Sequence, residues 1–95
     1  MVFEWDPRKA ASNAIKHGVT FEEAATVFSD RDALDGPDLQ HSVGEARSLR
    51  LGRSEDRRLL VVAYTQRRRQ HEEAIRLISA RLANRRERAP YLSKD

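Results

Sequence analysis

The hydrophobic pattern of this chain changes period several times, and each change marks an element. In "RLLVVAYTQR" (residues 58–67) the apolar run has no polar side in its middle, which predicts a central strand buried on both faces. "ARSLRLGRS" (46–54) alternates instead: Leu49 and Leu51 point one way, Ser48 and Arg50 the other, as in a half-buried strand. "VFEW" (2–5) is a short β-type run, and "AIRLIS" (74–79) reads as a strand that pairs back on the central one through the polar connection "RRRQHEE" (67–73). Helical spacing governs other stretches. Ala10, Ala11, Ala14 and Ile15 form a narrow apolar stripe, with Asp6 as N-cap, Pro7 at the first helical position, Lys16 and His17 in the last turn and Gly18 at the C-terminal cap, so a helix is expected over 7–17. Thr20 and Glu23 form a capping box ahead of Phe21, Ala24, Ala25 and Phe28, which predicts a second helix over 21–28. "DRDALDGPDLQHSVGEA" (30–46) is acidic and turn-rich, with a short strand around Ala33–Leu34. Ser79 is expected to cap a last helix, "ARLANRRERA" (80–89), ended near Pro90. The order predicts one α+β domain over 1–95: a curved antiparallel sheet of about four to five strands, with two N-terminal helices, one C-terminal helix, and helices mainly on one face.

Composition narrows the chemistry. The chain has 95 residues and no cysteine, so disulfides and thiolate metal sites are excluded, and a reducing cytoplasmic location is expected. No apolar stretch approaches the ~20 residues that span a bilayer, and "MVFEWDPRK" carries no signal-peptide pattern. Residues 1–46 carry a net charge of −5 and residues 47–95 a net of +8, and fifteen of the eighteen basic residues are arginine. Arginine grips phosphate through a planar fork, so the basic half is a candidate polyanion surface; a solvated face is the bland alternative. The acidic half is expected to keep a polyanion off the wrong face, or simply to be soluble surface.

The order of motifs resembles a known family. "FEWDPRKAASNAIKHGVTFEEAATVFSD", "GEARSLRLGRS", "VVAYTQR" and "IRLISARLANRRERAPY" resemble, nearly end to end, the BrnT family of type II toxins. Two departures are small: Ala63 stands where valine is common, and "RRRQHEEA" is longer and more charged than the usual connection. The resemblance implies a RelE-like fold, RNA cleavage that arrests translation, and a neighbouring BrnA-like antitoxin through which DNA is bound only indirectly. A non-catalytic nucleic-acid-binding module and a degenerate toxin acting only as corepressor are the alternatives. Aromatic residues are 6% of the chain, few for a base-stacking surface.

Metal-free cleavage of RNA needs a base for the 2′-hydroxyl, cations for the phosphate and an acid for the leaving 5′ oxygen. Arg76 alternates with Ile75 and Leu77 and is expected on an open sheet face, as a catalytic phosphate ligand together with Arg67. Its alternative is an exposed arginine whose stem covers apolar surface. Arg50 follows the same logic on the neighbouring strand, while Arg47, on the face of Leu49, is open to pairing with Glu45 or Asp38. Thr65 at a strand end is a candidate phosphate contact. Arg81, taken as opening the last helix beside Ser79, is another, because free N–H groups there attract phosphate; Arg81, Arg85 and Arg88 would form one stripe. Arg68 and Arg69 in the connection are expected to guide RNA electrostatically. His17, in the family's K-H-G motif, is a candidate proton carrier or a helix cap; His41 and His71 read as surface residues. Tyr91 lies where the resemblance implies a functional tyrosine. Glu87 is expected to pair within its helix. "DRDALDG" lacks calcium-loop spacing, so no metal and no cofactor are expected.

Overall fold

The computed structural model describes residues 1–41 and 44–93; part of the turn-rich acidic segment, at 42–43, lies outside them. The elements are β1 (Val2–Glu4), α1 (Pro7–His17), α2 (Phe21–Thr26) continued by a 3₁₀ turn (Val27–Ser29), β2 (Leu34–Pro37), β3 (Ser48–Arg53), β4 (Leu59–Arg69), β5 (Glu72–Leu82) and α3 (Arg85–Leu92). The first helix has the expected bounds. Asp6 accepts a hydrogen bond from the Arg8 N–H, and Gly18, at φ 67°, closes the helix in the left-handed region that glycine enters without strain.

The five strands lie in the order β1-β5-β4-β3-β2. Strands β2 to β5 form the expected antiparallel meander, but β1 pairs parallel with β5, so the sheet is mixed. Both helices of the N-terminal half lie between β1 and β2 in sequence. That crossover length lets β1 join the far edge in parallel, which a two-residue turn could not do. One face is covered: Val19, Phe21, Ala24 and Val27 pack on Leu60, Val62, Tyr64, Ile75, Leu77 and Ala80, with Phe3, Trp5 and Phe28 around them. Gly52 lets the 3₁₀ turn approach β3, since a Cβ there would stand 3.1 Å from the Ala33 Cβ and 3.3 Å from that of Val27. The other face carries a smaller cluster of Leu59, Val61 and Ala83, against which Leu49, Leu51 and Tyr91 pack, and is otherwise open.

The late elements differ from expectation in two ways. The arginine-rich stretch is strand rather than loop: Arg67, Arg68 and Arg69 stand opposite Ala74, Glu73 and Glu72, and only Gln70 and His71 make the turn. Arginines facing glutamates across the ladder favour continued pairing. Ser79 lies in mid-strand opposite Ala63, and α3 begins after Asn84. Asn84 accepts from the Glu87 N–H at 2.8 Å and Glu87 accepts from the Asn84 N–H at 2.9 Å, a reciprocal box stronger than a lone serine. The helix includes Pro90 rather than stopping at it; so near the end, proline removes one backbone bond of a short exposed helix.

Where β1 ends, β5 would leave an unpaired edge. Buried Asn13 of α1 fills it: its amide donates to Ala80 O at 2.8 Å and Val19 O at 2.9 Å and accepts from Ala80 N at 3.1 Å. A side chain thus supplies the backbone bonds of a missing strand.

Candidate functional site

The open face is set by register. Ladder partners share a face, so Val61, Ala63, Thr65 and Arg67 of β4 lie with Leu49 and Leu51 of β3. On β5 the phase is reset by a bulge: Tyr64 faces Leu77 and Ala63 faces Ser79, leaving Ile78 as the extra residue. Arg76, Ser79 and Arg81 therefore share the open face, although strict alternation would set Arg76 and Arg81 on opposite sides.

At the basic end of this face, Glu4 pairs in register with Arg76 and Arg76 with Thr65. Continuing the β3 register by one residue sets Arg47 beside Thr65. Thr65 is 1% exposed and its Oγ1 has no hydrogen-bond partner, and the Glu4 Oε1 is also buried without one. Arg76 is half-buried and forms no hydrogen bond or ion pair among the described residues. Arg67 is held by Glu45 through two bonds of 3.1 and 3.2 Å. That bond, and the fields of Arg67, Arg76 and Arg47, hold the Glu45 carboxyl below its ordinary range, so Glu45 is an anion in the midst of three arginines.

Next to this row lies an open cleft of about 300 Å³ lined by Asp38, His41, Arg47, Leu49, Ala63, Ser79 and Arg81, among others. Asp38 is 7% exposed, and both its carboxylate oxygens lie 3.2 Å from the His41 Nδ1. Arg81 grips Glu87 with bonds of 2.6 and 2.7 Å, which tie β5 to α3 and depress the Glu87 carboxyl. Ile78 and Ser79 also line a second cleft, with Lys9, Ser12, Asn13, Lys16 and His17. The two clefts meet at the bulge, beside the β5 edge that Asn13 caps.

The structure thus brings Arg76, Arg67 and Thr65 together on one face, with Arg81 in the adjoining cleft and His17 across the β5 edge. Arg68 and Arg69 sit on the exposed hairpin, and Arg69 pairs with Glu4 at 3.2 Å. Other expectations need correcting. Arg50 lies on the covered face, because it opposes Val62. There it stacks 4.5 Å from the Phe28 ring centre and forms a bidentate pair with Asp35 at 2.9 and 3.0 Å, so it is a structural arginine. Asp35 also accepts from the Tyr64 hydroxyl at 2.6 Å. Arg81 is a strand residue and shares no helical stripe with Arg85 and Arg88. Glu87 pairs with Arg81 outside its helix rather than within it.

Tyr91 stands elsewhere. Its hydroxyl donates to Asp30 at 2.7 Å, Arg53 lies 5.4 Å over its ring, and burial raises the phenol above its ordinary value. Arg53 pairs with Leu59 and Arg76 with Thr65, six residues along β4 and so roughly 20 Å apart. Sequence reasoning read His41 as a surface residue and Asp38 only as a possible partner of Arg47, and it gave Glu4 no role. The Asp-x-x-His spacing was visible; nothing local showed which face it would meet.

The acidic half has a structural part. Glu4 with Arg69, Glu23 with Arg58, Asp35 with Arg50 and Glu45 with Arg67 are all pairs between the acidic and basic halves. Among the described residues no group of His, Asp and Glu is arranged to hold a metal ion, and no helix is long and apolar enough to cross a membrane.

Comparison with known proteins identifies the arrangement. A family model described as "Ribonuclease toxin, BrnT, of type II toxin-antitoxin system" matches residues 5–87. The 1.1 Å crystal structure of the Brucella abortus ribonuclease toxin BrnT matches with a TM-score of 0.64 at 22% sequence identity, covering 90% of this chain and 100% of that one. At that identity the likeness shows the fold. No curated protein matches.

Proposed function

The chain belongs to the BrnT family of ribonuclease toxins of type II toxin-antitoxin systems, and from that premise we propose that it is a cytoplasmic endoribonuclease that cleaves RNA without a metal ion and so stops translation. The observation that carries this reading is Arg76, a half-buried guanidinium with no ion pair among the described residues, in register with an unsatisfied Thr65 hydroxyl. Buried polar groups normally have partners, so this row favours a ligand rich in anionic oxygens. A phosphodiester supplies them. Arg76 and Thr65 receive the phosphate, and Arg67 joins once Glu45 yields it. Arg81, Arg68 and Arg69 guide the flanking strand. His17, with Lys9 and Lys16, contacts the RNA that passes round the β5 edge. Tyr91 and Arg50 hold the fold together.

Membership of a type II family implies an antitoxin partner. We assign a BrnA-like antitoxin, which covers the basic face, neutralises the toxin and carries the complex to DNA. The test is cleavage of a single-stranded RNA by the purified, partner-free chain in EDTA, leaving 2′,3′-cyclic phosphate ends. Induced expression arrests growth, and co-expressed antitoxin restores it. A folded chain that leaves RNA intact and cells growing refutes the ribonuclease reading, and specific operator binding by the chain alone refutes the division of roles.

A further inference from the structure

We propose that His41, held by Asp38, is the general base of the cleft and takes the 2′-hydroxyl proton of the bound RNA. The inference rests on the ribonuclease reading and adds a residue to it. Asp38 is fixed before His41 is considered: it is 7% exposed, and its N–H donates to Arg47 O at 2.9 Å. The His41 N–H in turn donates to Asp38 O at 3.4 Å, and the ring Nδ1 lies 3.2 Å from each carboxylate oxygen. A carboxylate at Nδ1 selects the tautomer with the proton there and leaves the Nε2 lone pair for substrate. The side chain is 60% exposed, so that nitrogen is within reach of a ligand.

The surroundings suit the step. His41 shares its cleft with the Ser79 hydroxyl, with Arg81, which Glu87 holds, and with Arg47, whose register places it beside Thr65 and so joins this cleft to the Arg76 row that receives the phosphate. The floor of Leu49, Val61 and Ala63 is apolar, which strengthens each charge interaction above it. In the reaction Nε2 accepts the proton as the 2′ oxygen bonds to phosphorus. The bond from phosphorus to the 5′ oxygen breaks, that oxygen takes a proton from water, and the imidazolium later returns its proton to solvent. Asp38 stabilises the imidazolium, while Arg47 and Arg81 oppose it. Glu87 offsets Arg81, and Lys9, Lys16 and His17 line the adjoining cleft.

The experiment measures single-turnover cleavage of a short RNA between pH 5 and 9 by the full chain and by His41→Ala, Asp38→Asn and His71→Ala. Wild type gives a rate that rises with pH through the histidine range. His41→Ala loses roughly 10²- to 10⁴-fold in rate, with little change in KM and without that pH limb, and added imidazole restores part of the rate. Asp38→Asn slows cleavage, because the ring loses the carboxylate that fixes its tautomer and orientation. His71→Ala, at the hairpin turn, behaves as wild type. Wild-type cleavage that His41→Ala matches overturns this inference alone. So does a loss that imidazole does not rescue and that follows a lowered melting temperature, which would make His41 structural. Wild type that does not cleave overturns the ribonuclease reading and the base with it.

Discussion

Replacing Arg76 by alanine should separate catalysis from folding. The side chain has no hydrogen bond or ion pair to lose, and only longer-range attraction to Glu45, which Arg67 already binds. Removing it also relieves repulsion from Arg47 and Arg67. The stability change should therefore stay within about 1 kcal/mol. The effect on rate should be far larger. A fixed donor aimed at charge that develops in the transition state is worth roughly 2–4 kcal/mol, or about 30- to 900-fold in rate. Arg76→Lys should recover little, since a point charge lacks the bidentate fork. Arg67→Ala should cost less than Arg76→Ala, because Arg67 must first leave the Glu45 carboxylate, to which it is bound at 3.1 and 3.2 Å. The assay is single-turnover cleavage alongside thermal unfolding for each variant. Wild-type cleavage by Arg76→Ala refutes the phosphate role, and a variant that loses activity only by unfolding makes the arginine structural.

Two further outcomes concern the scaffold. Asn13→Ala strips three hydrogen bonds of 2.8–3.1 Å from a buried strand edge; at about 1 kcal/mol each the loss is about 3 kcal/mol, a drop in Tm of more than roughly 10 °C, and a drop of under ~3 °C would show that water replaces the amide. Glu23 has its pKa lowered chiefly by its hydrogen bond to Arg58, so its stabilisation is complete above its ordinary value of 4.5 and lost as pH falls through the lower folded value; Glu23→Gln should flatten the acid limb of urea stability between about pH 5 and 3, and an unchanged limb refutes the linkage.

Local signals placed the first half of the molecule well. Asp6, Pro7 and Gly18 bound α1 at both ends, since each acts on backbone within a turn of itself. The strands from β3 to β5 were also legible, because alternation and apolar runs report burial directly. The end of β5 was not. "SARLAN" contains two capping residues and an apolar spacing that suits strand or helix, and pairing with β4 as far as Leu82 decides between them. The face of Arg50 was misplaced for a related reason. Alternation says which residues share a side of one strand, while the register between strands says which side meets the helices. The parallel pairing of β1 depends on contacts more than seventy residues apart in sequence, such as Val2 with Ala74, and leaves no local trace.

The same limit explains why a count of arginines says little about where RNA binds. Four arginines of the second half, Arg50, Arg58, Arg67 and Arg69, are held by carboxylates from the first. An arginine already in such a pair must give up its carboxylate before it can take a phosphate, so its net gain is small. Arg76 is under no such constraint. Glu4, its register partner, turns one oxygen to Arg69 and leaves the other buried and unmet. An unpaired cation, an unmet hydroxyl and an unmet carboxylate oxygen in one row are expensive to keep. Each would be satisfied by the parts of a nucleotide, the phosphate oxygens for Arg76 and Thr65 and a ribose hydroxyl for Glu4. On the proposed reading, the arginine that serves the substrate is chosen by the fold's pairing, which leaves Arg76 without a carboxylate among the described residues.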